Sequence, residues 1–287
     1  MSSTSTHLNT EQVRCLLDTE LIGQADRLVF LPIVDSTNTL AMKLALQGSE
    51  EGVVVLTDSQ RAGKGRQGRR WVDMEGCNVL LSTVLRPLFS PHLLVMVASL
   101  AVVDTIAAVT GIAATIKWPN DILIGERKVA GILIETSHDL SGQLVAIVGI
   151  GVNANGHISH YADQVCDSST LAQWLSAKAT TLAEECGREV SREAFIAHLL
   201  LQIEISYLAL QQEAHTRHTA YTMPFFSISR SIRDKWSDRL STLGRAIQVR
   251  QGNALLSGVA EGVGENGELL LRSHSGERIS ITWGDIG

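Results

Sequence analysis

The chain has 287 residues, of which 45% are hydrophobic and 19% are charged. These proportions are typical of a globular protein with one large and one small domain or with two moderate domains, and they exclude disorder over most of the length. The formal net charge of −6 argues against a general nucleic-acid binder, which carries a surplus of basic residues.

Cysteine usage and the N-terminal sequence both indicate the cytoplasm. The cysteines have neither a CxxC motif nor paired spacing, which suits a reducing compartment and offers no metal site. They are Cys15, Cys77, Cys166 and Cys186. The first residues, MSSTSTHLNTEQ, are polar where a signal peptide requires an apolar core. We therefore expect a cytoplasmic protein.

The first part of the chain predicts a short helical extension, two buried strands and a long helix. Residues 1–25 carry the helical pattern EQVRCLLDTELI, and the runs VVVLT and NVLLSTVLRP are typical of buried strands. The apolar stretch 93–116 has Asp104 near its middle, and a charge at the centre of a membrane span costs about 2.5–3.5 kcal/mol. With Ser90 as N-cap, Pro91 at the first position and Gly111 at the end, we predict a buried helix and no membrane partner.

The middle of the chain changes from strands to helices. ATIKW and then DILIGERKVAGILIE predict strands, the latter a hairpin with its tight turn at 125–127, and QLVAIVGIGVN predicts one more strand. From 168 to 213 the period is helical, with Ser191 as a plausible N-cap. The apolar stripe of this tract is predicted to be core: Phe195, Leu199, Ile203, Tyr207 and Leu210. A less regular tract, 214–242, contains Pro224.

After Gly244 the sequence becomes a series of short alternating segments. They are divided by QGN, GENG and SHSGE, which are hairpin turn signals. This pattern predicts a separate small β-domain, too small for much stability of its own and therefore packed on the main body.

The stretch AGKGRQGRRW, residues 62–71, combines three glycines with four cations. Its spacing, G-x-G-x-x-G, is that of a dinucleotide-binding turn, but such a turn requires a helix directly behind the glycines. Here RRWVDMEGCN follows, without a helical period. The alternative is a flexible loop whose clustered cations repel one another until an anion neutralises them, so that it closes over a negatively charged ligand. A merely solvated basic loop is the other interpretation.

GKGRQGRRW resembles the G-R-G-R-x-G-R-x-W signature of biotin protein ligases. Four further stretches resemble motifs of this family in the same order: DSTN (35–38), KWPND (117–121), RKVAGILIE (127–135) and VGIGVN (148–153). The resemblance implies an α/β (α+β) fold, with a mixed-sheet catalytic domain like that of class II aminoacyl-tRNA synthetases and a small C-terminal β-barrel. The implied division is an N-terminal helical extension (1–25), a catalytic domain (26–242) and the barrel (243–287).

The resemblance also implies an activity. The family uses ATP to activate biotin to biotinyl-5′-AMP, with Mg²⁺ bridging the phosphates, and then transfers biotin to one lysine of a biotin carboxyl carrier protein of a carboxylase. The carboxylate of biotin repels the triphosphate that it must attack, so cations have to neutralise both partners.

Residue roles follow from the matched motifs. Arg66 is expected to stabilise phosphate and retain the intermediate, Lys128 to reach the biotin carboxylate, and Asp121 to orient or deprotonate the incoming lysine. Biotin is expected to contact Ser36, Thr37, Gln60, Gly63, Lys64, Arg66, Lys128 and Gly131. ATP or the adenylate is expected to contact Arg66, Arg69, Trp71, Lys117, Asn120 and Asn153.

Several of these residues have a purely structural alternative. Ser36 and Thr37 fit a helix N-cap before LAMKLAL, Lys128 fits an exposed hairpin lysine, and Trp71 fits core packing. Lys64 stands where the family often has arginine. Lysine keeps the positive charge of arginine but lacks its bidentate hydrogen-bonding fork.

The histidine pairs are not expected to form a metal site. The pairs His157 and His160, and His215 and His218, have H-x-x-H spacing but no accompanying carboxylate pattern.

Other functions remain as alternatives. A ligase for lipoate or a related carboxylic acid shares the general fold, and a non-catalytic biotin-sensing regulator or storage protein shares the ligand. Regulators of this family carry an N-terminal DNA-binding domain, whereas the segment 1–25 is short and not basic, so we expect no DNA partner. A homodimer is a further possibility, because exposed strand edges can pair with a second copy of the chain.

Overall fold

The computed structural model of the chain describes residues 7–159, 177–219 and 227–286. Its helices are α1 Thr10–Leu16, α2 Thr37–Leu46, α3 His92–Thr110, α4 Leu182–Cys186, α5 Arg192–Thr219 and α6 Ile228–Asp238. The strands of a first sheet are β1 Leu28–Val34, β2 Val54–Gln60, β3 Val79–Leu85, β4 Thr115–Lys117, β5 Asp121–Ile124, β6 Arg127–His138 and β7 Leu144–Val152. Those of a second sheet are β8 Ala246–Gln251, β9 Ala254–Val263, β10 Leu269–Ser273, β11 Arg278–Ile281 and β12 Asp285–Ile286.

The first sheet is mixed and has helices on both faces. Its order is β1-β2-β3-β7-β6-β5-β4, with β1 parallel to β2 and the other neighbouring pairs antiparallel. Helix α2 covers one face, where Ala41 and Ala45 join Val55, Val84 and Ile147 in a small core cluster. Helix α3 packs on the other face, α5 packs on α3, and residues of both belong to the main core. The predicted mixed-sheet architecture is confirmed.

Helix α3 is the buried helix that the sequence predicts. It begins at His92, one residue later than expected, with Pro91 as its N-cap, and it ends at Gly111 in the left-handed conformation with φ 76°. By length and hydropathy, α3 and the 192–216 part of α5 resemble membrane spans, but 61% and 50% of the tested windows are buried inside the protein. Because the two helices pack on each other, their apolar residues form core.

Helix α5 buries the predicted stripe, since Phe195, Leu199, Ile203, Tyr207 and Leu210 are all at most 1% exposed. Ser191 caps its start by accepting a hydrogen bond from Ala194 N. The prediction for 214–242 is wrong in part, because α5 continues to Thr219 and α6 follows. Helix α6 is mostly polar, but Ile232 and Trp236 recur four residues apart and are buried. Residues 160–176 and Pro224 lie outside the described residues.

Strand β1 was not predicted, and α1 is shorter than the pattern suggested. Strand β1 (LVFLPIV) lies at the edge of the sheet, where Pro32 removes no ladder hydrogen bond that the sheet needs. Helix α1 ends at Leu16, and the following segment is held instead by a carboxylate of α5. The oxygens of Glu204 accept hydrogen bonds from the backbone N–H groups of Glu20, Leu21 and Ile22 at 2.5, 2.8 and 2.6 Å.

The second sheet is antiparallel, in the order β11-β10-β9-β8-β12, and it is the predicted small β-domain. Its turns fall where QGN, GENG and SHSGE were read as hairpin signals. It packs on the main body as expected: Trp118 Nε1 donates to Gly267 O at 2.9 Å, and Val249, Leu269 and Leu271 belong to the main core.

We predict that Glu204→Gln lowers the free energy of unfolding by about 1.5–3 kcal/mol, because hydrogen bonds to a buried carboxylate are lost or weakened. Glu204 is 3% exposed. Urea denaturation measures the change. Glu11→Gln is the matched control, since that side chain is 82% exposed, and its effect should stay within about 0.5 kcal/mol. Equal midpoints for the two variants would contradict the prediction.

Candidate active site

A cleft opens between the N-terminus of α2, strands β5 to β7, and the loop that follows β2. Most of the predicted site residues line it: Ser36, Thr37, Gln60, Lys64, Arg66, Arg69, Trp71, Asn120, Asp121, Lys128 and Gly131. They come from five separate segments of the chain. The topology therefore brings all five sequence motifs to one place, with VGIGVN supplying Gly149, Ile150 and Gly151 of the floor.

Three predicted residues lie outside the cleft lining. Gly63 is in the loop, where its carbonyl accepts a hydrogen bond from Trp71 N at 2.9 Å. Lys117 lies on β4. Asn153 is 8% exposed and donates through its side chain to Thr180 O at 3.1 Å. The Asn153 side chain therefore fastens the segment that precedes α4 to the end of β7.

The loop of residues 61–71, which we call the cationic loop, folds back on itself. Lys64 and Arg70 form an isolated antiparallel bridge, and Gly65 N donates to Arg69 O at 2.7 Å. The tip is one 3₁₀ turn, Arg66–Gly68, and no α-helix follows it. A dinucleotide-binding turn lacks its essential element here, because the pyrophosphate of such a ligand sits on a helix N-terminus.

Arg66 points into the cleft. Its guanidinium donates to Asn120 Oδ1 at 3.0 Å, and Asn120 is held in turn by donating to Ile132 O at 2.7 Å. Burial lowers the pKa of Arg66 below that of an ordinary arginine, while the carboxylates of Asp285 and Asp121 act in the opposite direction. A partly desolvated guanidinium is a strong partner for an oxyanion, because little water competes for it.

Two other cations of the loop, Lys64 and Arg69, are paired with acidic residues from different parts of the fold. Lys64 Nζ lies 3.2 Å from Glu135 Oε1 on β6, and Arg69 Nη2 lies 2.6 Å from Asp285 Oδ1 on β12. These ion pairs hold the loop against both the first sheet and the second.

Lys128 is at the start of β6, beside two other predicted residues. Its Nζ lies 2.6 Å from Asp121 Oδ1 and 5.5 Å from the ring centroid of Trp71. Asp121 stands on β5, next to Asn120, which binds Arg66. Two cations of opposite walls, Arg66 and Lys128, thus face the same cleft.

The inner end of the cleft is lined by a connected set of neutral polar groups. Gln60 Oε1 accepts from Thr37 N at 2.8 Å and from Thr37 Oγ1 at 3.2 Å. Ser82 Oγ donates to Asn38 Oδ1 at 2.6 Å and lies 2.8 Å from Thr37 Oγ1. Ser36 both lines the cleft and caps α2. The two interpretations of Ser36 are therefore compatible.

Sequence reasoning missed Asn38, Ser82 and Glu135 as members of this region. Asn38 is the last letter of DSTN and is 4% exposed, so the motif itself carried the signal. Ser82 lies inside the apolar run NVLLSTVLRP. Because the run as a whole predicts a buried strand, nothing in the sequence singles out this hydroxyl.

Glycines form the floor of the cleft because neighbouring side chains occupy the space of a Cβ atom. Gly131 and Gly151 are cross-strand partners on β6 and β7. A Cβ at Gly149 would come within 1.9 Å of Asn38 Oδ1, and one at Gly151 within 2.6 Å of the Trp71 ring. Trp71 packs on this floor, as its structural interpretation requires, and it also lines the cleft, so contact with a nucleotide stays a prediction. Its Nε1 is buried without a hydrogen-bond partner in the described part of the chain.

The histidine pairs fall partly outside the described residues. His157 Nδ1 lies 3.5 Å from Glu184 Oε1, whereas His160 and the side chain of His218 are not described. Within residues 7–159, 177–216 and 227–286, no group of three or more His, Cys, Asp or Glu side chains is placed to hold a metal ion.

Comparison with known proteins gives a consistent family. A family model described as the biotin/lipoate A/B protein ligase family matches residues 30–155, and one described as the biotin protein ligase C terminal domain matches residues 242–286. A biotin–[acetyl-CoA-carboxylase] ligase from Paracoccus denitrificans is 35% identical and covers 85% of this chain and 94% of its own. A bifunctional ligase/repressor BirA from Bacillus subtilis is 32% identical and covers 94% of this chain and 76% of its own.

Solved structures agree with this assignment. A biotin protein ligase from Aquifex aeolicus in complex with biotin and ATP has a TM-score of 0.71 at 26% identity, covering 92% of this chain and 98% of its own. The mixed sheet, the cationic loop and the second sheet define a ligase of the biotin/lipoate type. The chain belongs to the biotin protein ligase family.

We predict that Gly151→Ala displaces the Trp71 ring and lowers the free energy of unfolding by about 1–3 kcal/mol, the usual cost of inserting a methyl group into a filled space. Gly262→Ala is the matched control, because a Cβ at Gly262 on β9 meets nothing within 4 Å. Urea denaturation of both variants measures the difference. A Gly151→Ala protein as stable as the control would show that Trp71 is not fixed against β7.

Proposed function

We infer that the protein is a biotin protein ligase that activates biotin with ATP to biotinyl-5′-AMP and transfers biotin to a lysine of a biotin carboxyl carrier protein. One observation carries the inference. Arg66 and Lys128 face one cleft whose inner end is lined by neutral hydrogen-bonding groups. The family membership and the Aquifex aeolicus complex with biotin and ATP support the same activity.

The inner end suits the ureido ring of biotin. That group is neutral and must find both donors and acceptors when it leaves water. Ser36, Thr37 and Gln60 supply them, and Asn38 adds a fixed amide beside the floor at Gly149. The valeryl tail would then run past Trp71 and Gly131 and place its carboxylate near Lys128. Gly63 and Lys64 would act from the loop, through backbone or side chain.

The cations of the cleft suit the first step. One carboxylate oxygen of biotin attacks the α-phosphorus of ATP, the bond from that phosphorus to the bridging oxygen breaks, and pyrophosphate leaves. Arg66 and Lys128 would neutralise the carboxylate and the developing charge on the α-phosphate, aided by Arg69 at the rim. Asn120 keeps Arg66 in place. Contacts of Lys117 and Asn153 with ATP remain predictions, because both lie outside the described lining.

Among its described lining residues, the cleft offers one carboxylate as a ligand for magnesium. Mg²⁺ prefers oxygen ligands and usually keeps several waters while binding phosphates and one or two carboxylates. Asp121 is the carboxylate among the described residues that line the cleft, so it would hold the ion together with the phosphates. When bound, Mg²⁺ would neutralise phosphate charge.

The second step needs a neutral amine. The ε-amino nitrogen of the acceptor lysine attacks the acyl carbon of biotinyl-AMP, the bond from that carbon to the phosphate oxygen breaks, and AMP leaves. The amine proton has to be accepted, since the reference pKa of lysine is about 10.4. Asp121 is the proposed acceptor, and in the free protein its oxygen is occupied by Lys128 at 2.6 Å.

A ligase for lipoate is the alternative within the same fold. The polar inner end favours biotin, because the dithiolane ring of lipoate offers no groups to pair with buried amides and hydroxyls. A biotin sensor without catalysis, or a storage protein, would bind biotin and release no AMP. We propose no DNA partner, in keeping with the net charge of −6, and a specific, salt-sensitive gel shift would contradict this.

Other parts of the proposal concern the setting of the enzyme. The domain limits at 26–242 and 243–287 and a cytoplasmic location are proposed from the sequence, and the free state of Cys15, Cys77 and Cys186 is in keeping with a reducing compartment. A homodimer would use a strand edge such as that of β1, where Leu31 and Ile33 are 42% and 44% exposed.

We predict biotin-dependent ATP–pyrophosphate exchange by the wild type, with no exchange supported by lipoate. Arg66→Ala should still form the adenylate but release it about 10- to 100-fold faster, because one hydrogen bond to a charged group contributes about 1.5–3 kcal/mol. Release is followed by filter binding of radiolabelled biotinyl-AMP. Arg230→Ala is the control, since Arg230 is a 74% exposed arginine on α6. Exchange without biotin dependence would refute the activity.

Asp121→Asn should slow transfer to the carrier domain about 100-fold or more while adenylate formation is affected less, because general-base catalysis contributes about 10²–10⁴-fold. The measurement is a single turnover of preformed biotinyl-AMP with purified carrier domain. Raising the pH should recover part of the loss, since more of the acceptor lysine is then neutral. Equal slowing of both half-reactions would show that Asp121 acts through metal or nucleotide binding and not as the proton acceptor.

A further inference from the structure

Glu135 on β6 contacts two parts of the cleft at once. One carboxylate oxygen lies 3.2 Å from Lys64 Nζ in the cationic loop, and the other accepts a hydrogen bond from Asn38 Nδ2 at 2.8 Å. No role for Glu135 follows from the reaction itself, because it lies beyond the cleft lining, in the groove on the outer side of the loop. Its side chain is 33% exposed.

Asn38 is the buried side of this connection. It is 4% exposed, and its amide is held at both ends, by Glu135 and by Ser82 Oγ at 2.6 Å. Its oxygen occupies the space above Gly149. A second hydrogen bond, to Leu133 O, is long at 3.4 Å. The orientation of Asn38 at the inner end of the cleft therefore depends on the carboxylate of Glu135.

Lys64 is the loop side of the connection. The cationic loop carries Arg61, Lys64, Arg66, Arg69 and Arg70 and no acidic residue, so mutual repulsion favours an open loop. On the first sheet, the carboxylate that pairs with this loop in the described structure is that of Glu135. The loop is thus fastened to the same side chain that fixes Asn38.

We propose that Glu135 is a positioning residue that couples closure of the cationic loop to the orientation of Asn38 at the inner end of the cleft. The inference rests on the proposed function. A ligand at the inner end would hold Asn38, and through it Glu135, in the position that receives Lys64. Lys64 would then keep Arg66 over the reacting groups. Occupation of the inner end is transmitted in this way to the phosphate-binding end.

The coupling makes the lysine at position 64 suitable. A lysine ammonium is a single point of charge that one carboxylate oxygen can hold, which leaves the second oxygen for Asn38. A bidentate arginine at this position would tend to occupy both oxygens. The presence of lysine instead of arginine at position 64 is therefore consistent with a Glu135 carboxylate that Lys64 and Asn38 share.

The test uses the full chain and two variants that break the ion pair from either side. Glu135→Gln keeps an acceptor for Asn38 but loses the charge, and Lys64→Met removes the cation while the Glu135–Asn38 contact stays. Two quantities are measured: the rate at which trypsin cuts within 61–71, with and without biotin, and the release of biotinyl-AMP. Biotin should protect the wild-type loop. Each variant should lose protection and release adenylate about two- to fivefold faster, the size expected for a partly exposed ion pair.

The double variant decides whether the two residues act together. If they do, Glu135→Gln with Lys64→Met should be no worse than either single variant. Additive effects, or wild-type rates in both single variants, would overturn the proposal. Glu50→Gln is the control, because Glu50 forms a surface ion pair with Arg27 and is 74% exposed, and it should behave as wild type.

Two further measurements distinguish a loss of coupling from a loss of stability and from failure of the proposed function. Urea denaturation should give unchanged midpoints for both single variants; if Glu135→Gln is destabilised, the exposed loop variant Lys64→Met carries the test. If the wild type forms no adenylate, the proposed function fails. The trypsin assay with biotin then still judges the coupling, and loss of protection in Lys64→Met supports it whereas full protection contradicts it.

Discussion

The contact between Lys128 and Asp121 is the constraint around which the cleft is organised. A cation and a carboxylate 2.6 Å apart neutralise each other and keep the β5–β6 hairpin in register beside Trp71. Both are partly desolvated, so each is strongly attracted to a ligand group that can replace its partner. In the proposed reaction, an incoming carboxylate or phosphate would compete with Asp121 for Lys128, and its arrival would leave Asp121 free. Lys128 could thus act in adenylate formation, and Asp121, once free, could act in the transfer step that follows.

The sequence predicted most of the fold because its strands and helices have strong local signals. The hairpin turn at Gly125, the left-handed end of α3 at Gly111 and the buried stripe of α5 follow from backbone preference and periodicity. Strand β1 and helix α6 were missed because neither has a dominant pattern: β1 contains Pro32, and α6 buries little besides Ile232 and Trp236. Tertiary contacts, which a local pattern does not contain, decide such elements.

The candidate site was predictable only as far as motifs reach. Residues within motifs, such as Arg66 and Lys128, come together as the family resemblance implies. Ser82 and the ion-pair partners Glu135 and Asp285 could not be found, because their importance arises from proximity across more than 40 positions of the chain. Asn153 shows the converse, since a motif residue proves to be engaged with Thr180 in fastening neighbouring backbone.

The ion pair between Arg69 and Asp285 connects the second sheet to the cationic loop of the cleft. None of its described residues lines the cleft, yet its last strand forms an ion pair with Arg69 of the cationic loop, which is proposed to close over the reacting groups. Any displacement of this small sheet, by an approaching protein or by loss of its final strand, would be felt at the phosphates as a change in local electrostatics. In the proposed reaction, a part of the chain outside the cleft would in this way influence how long the activated biotin is retained.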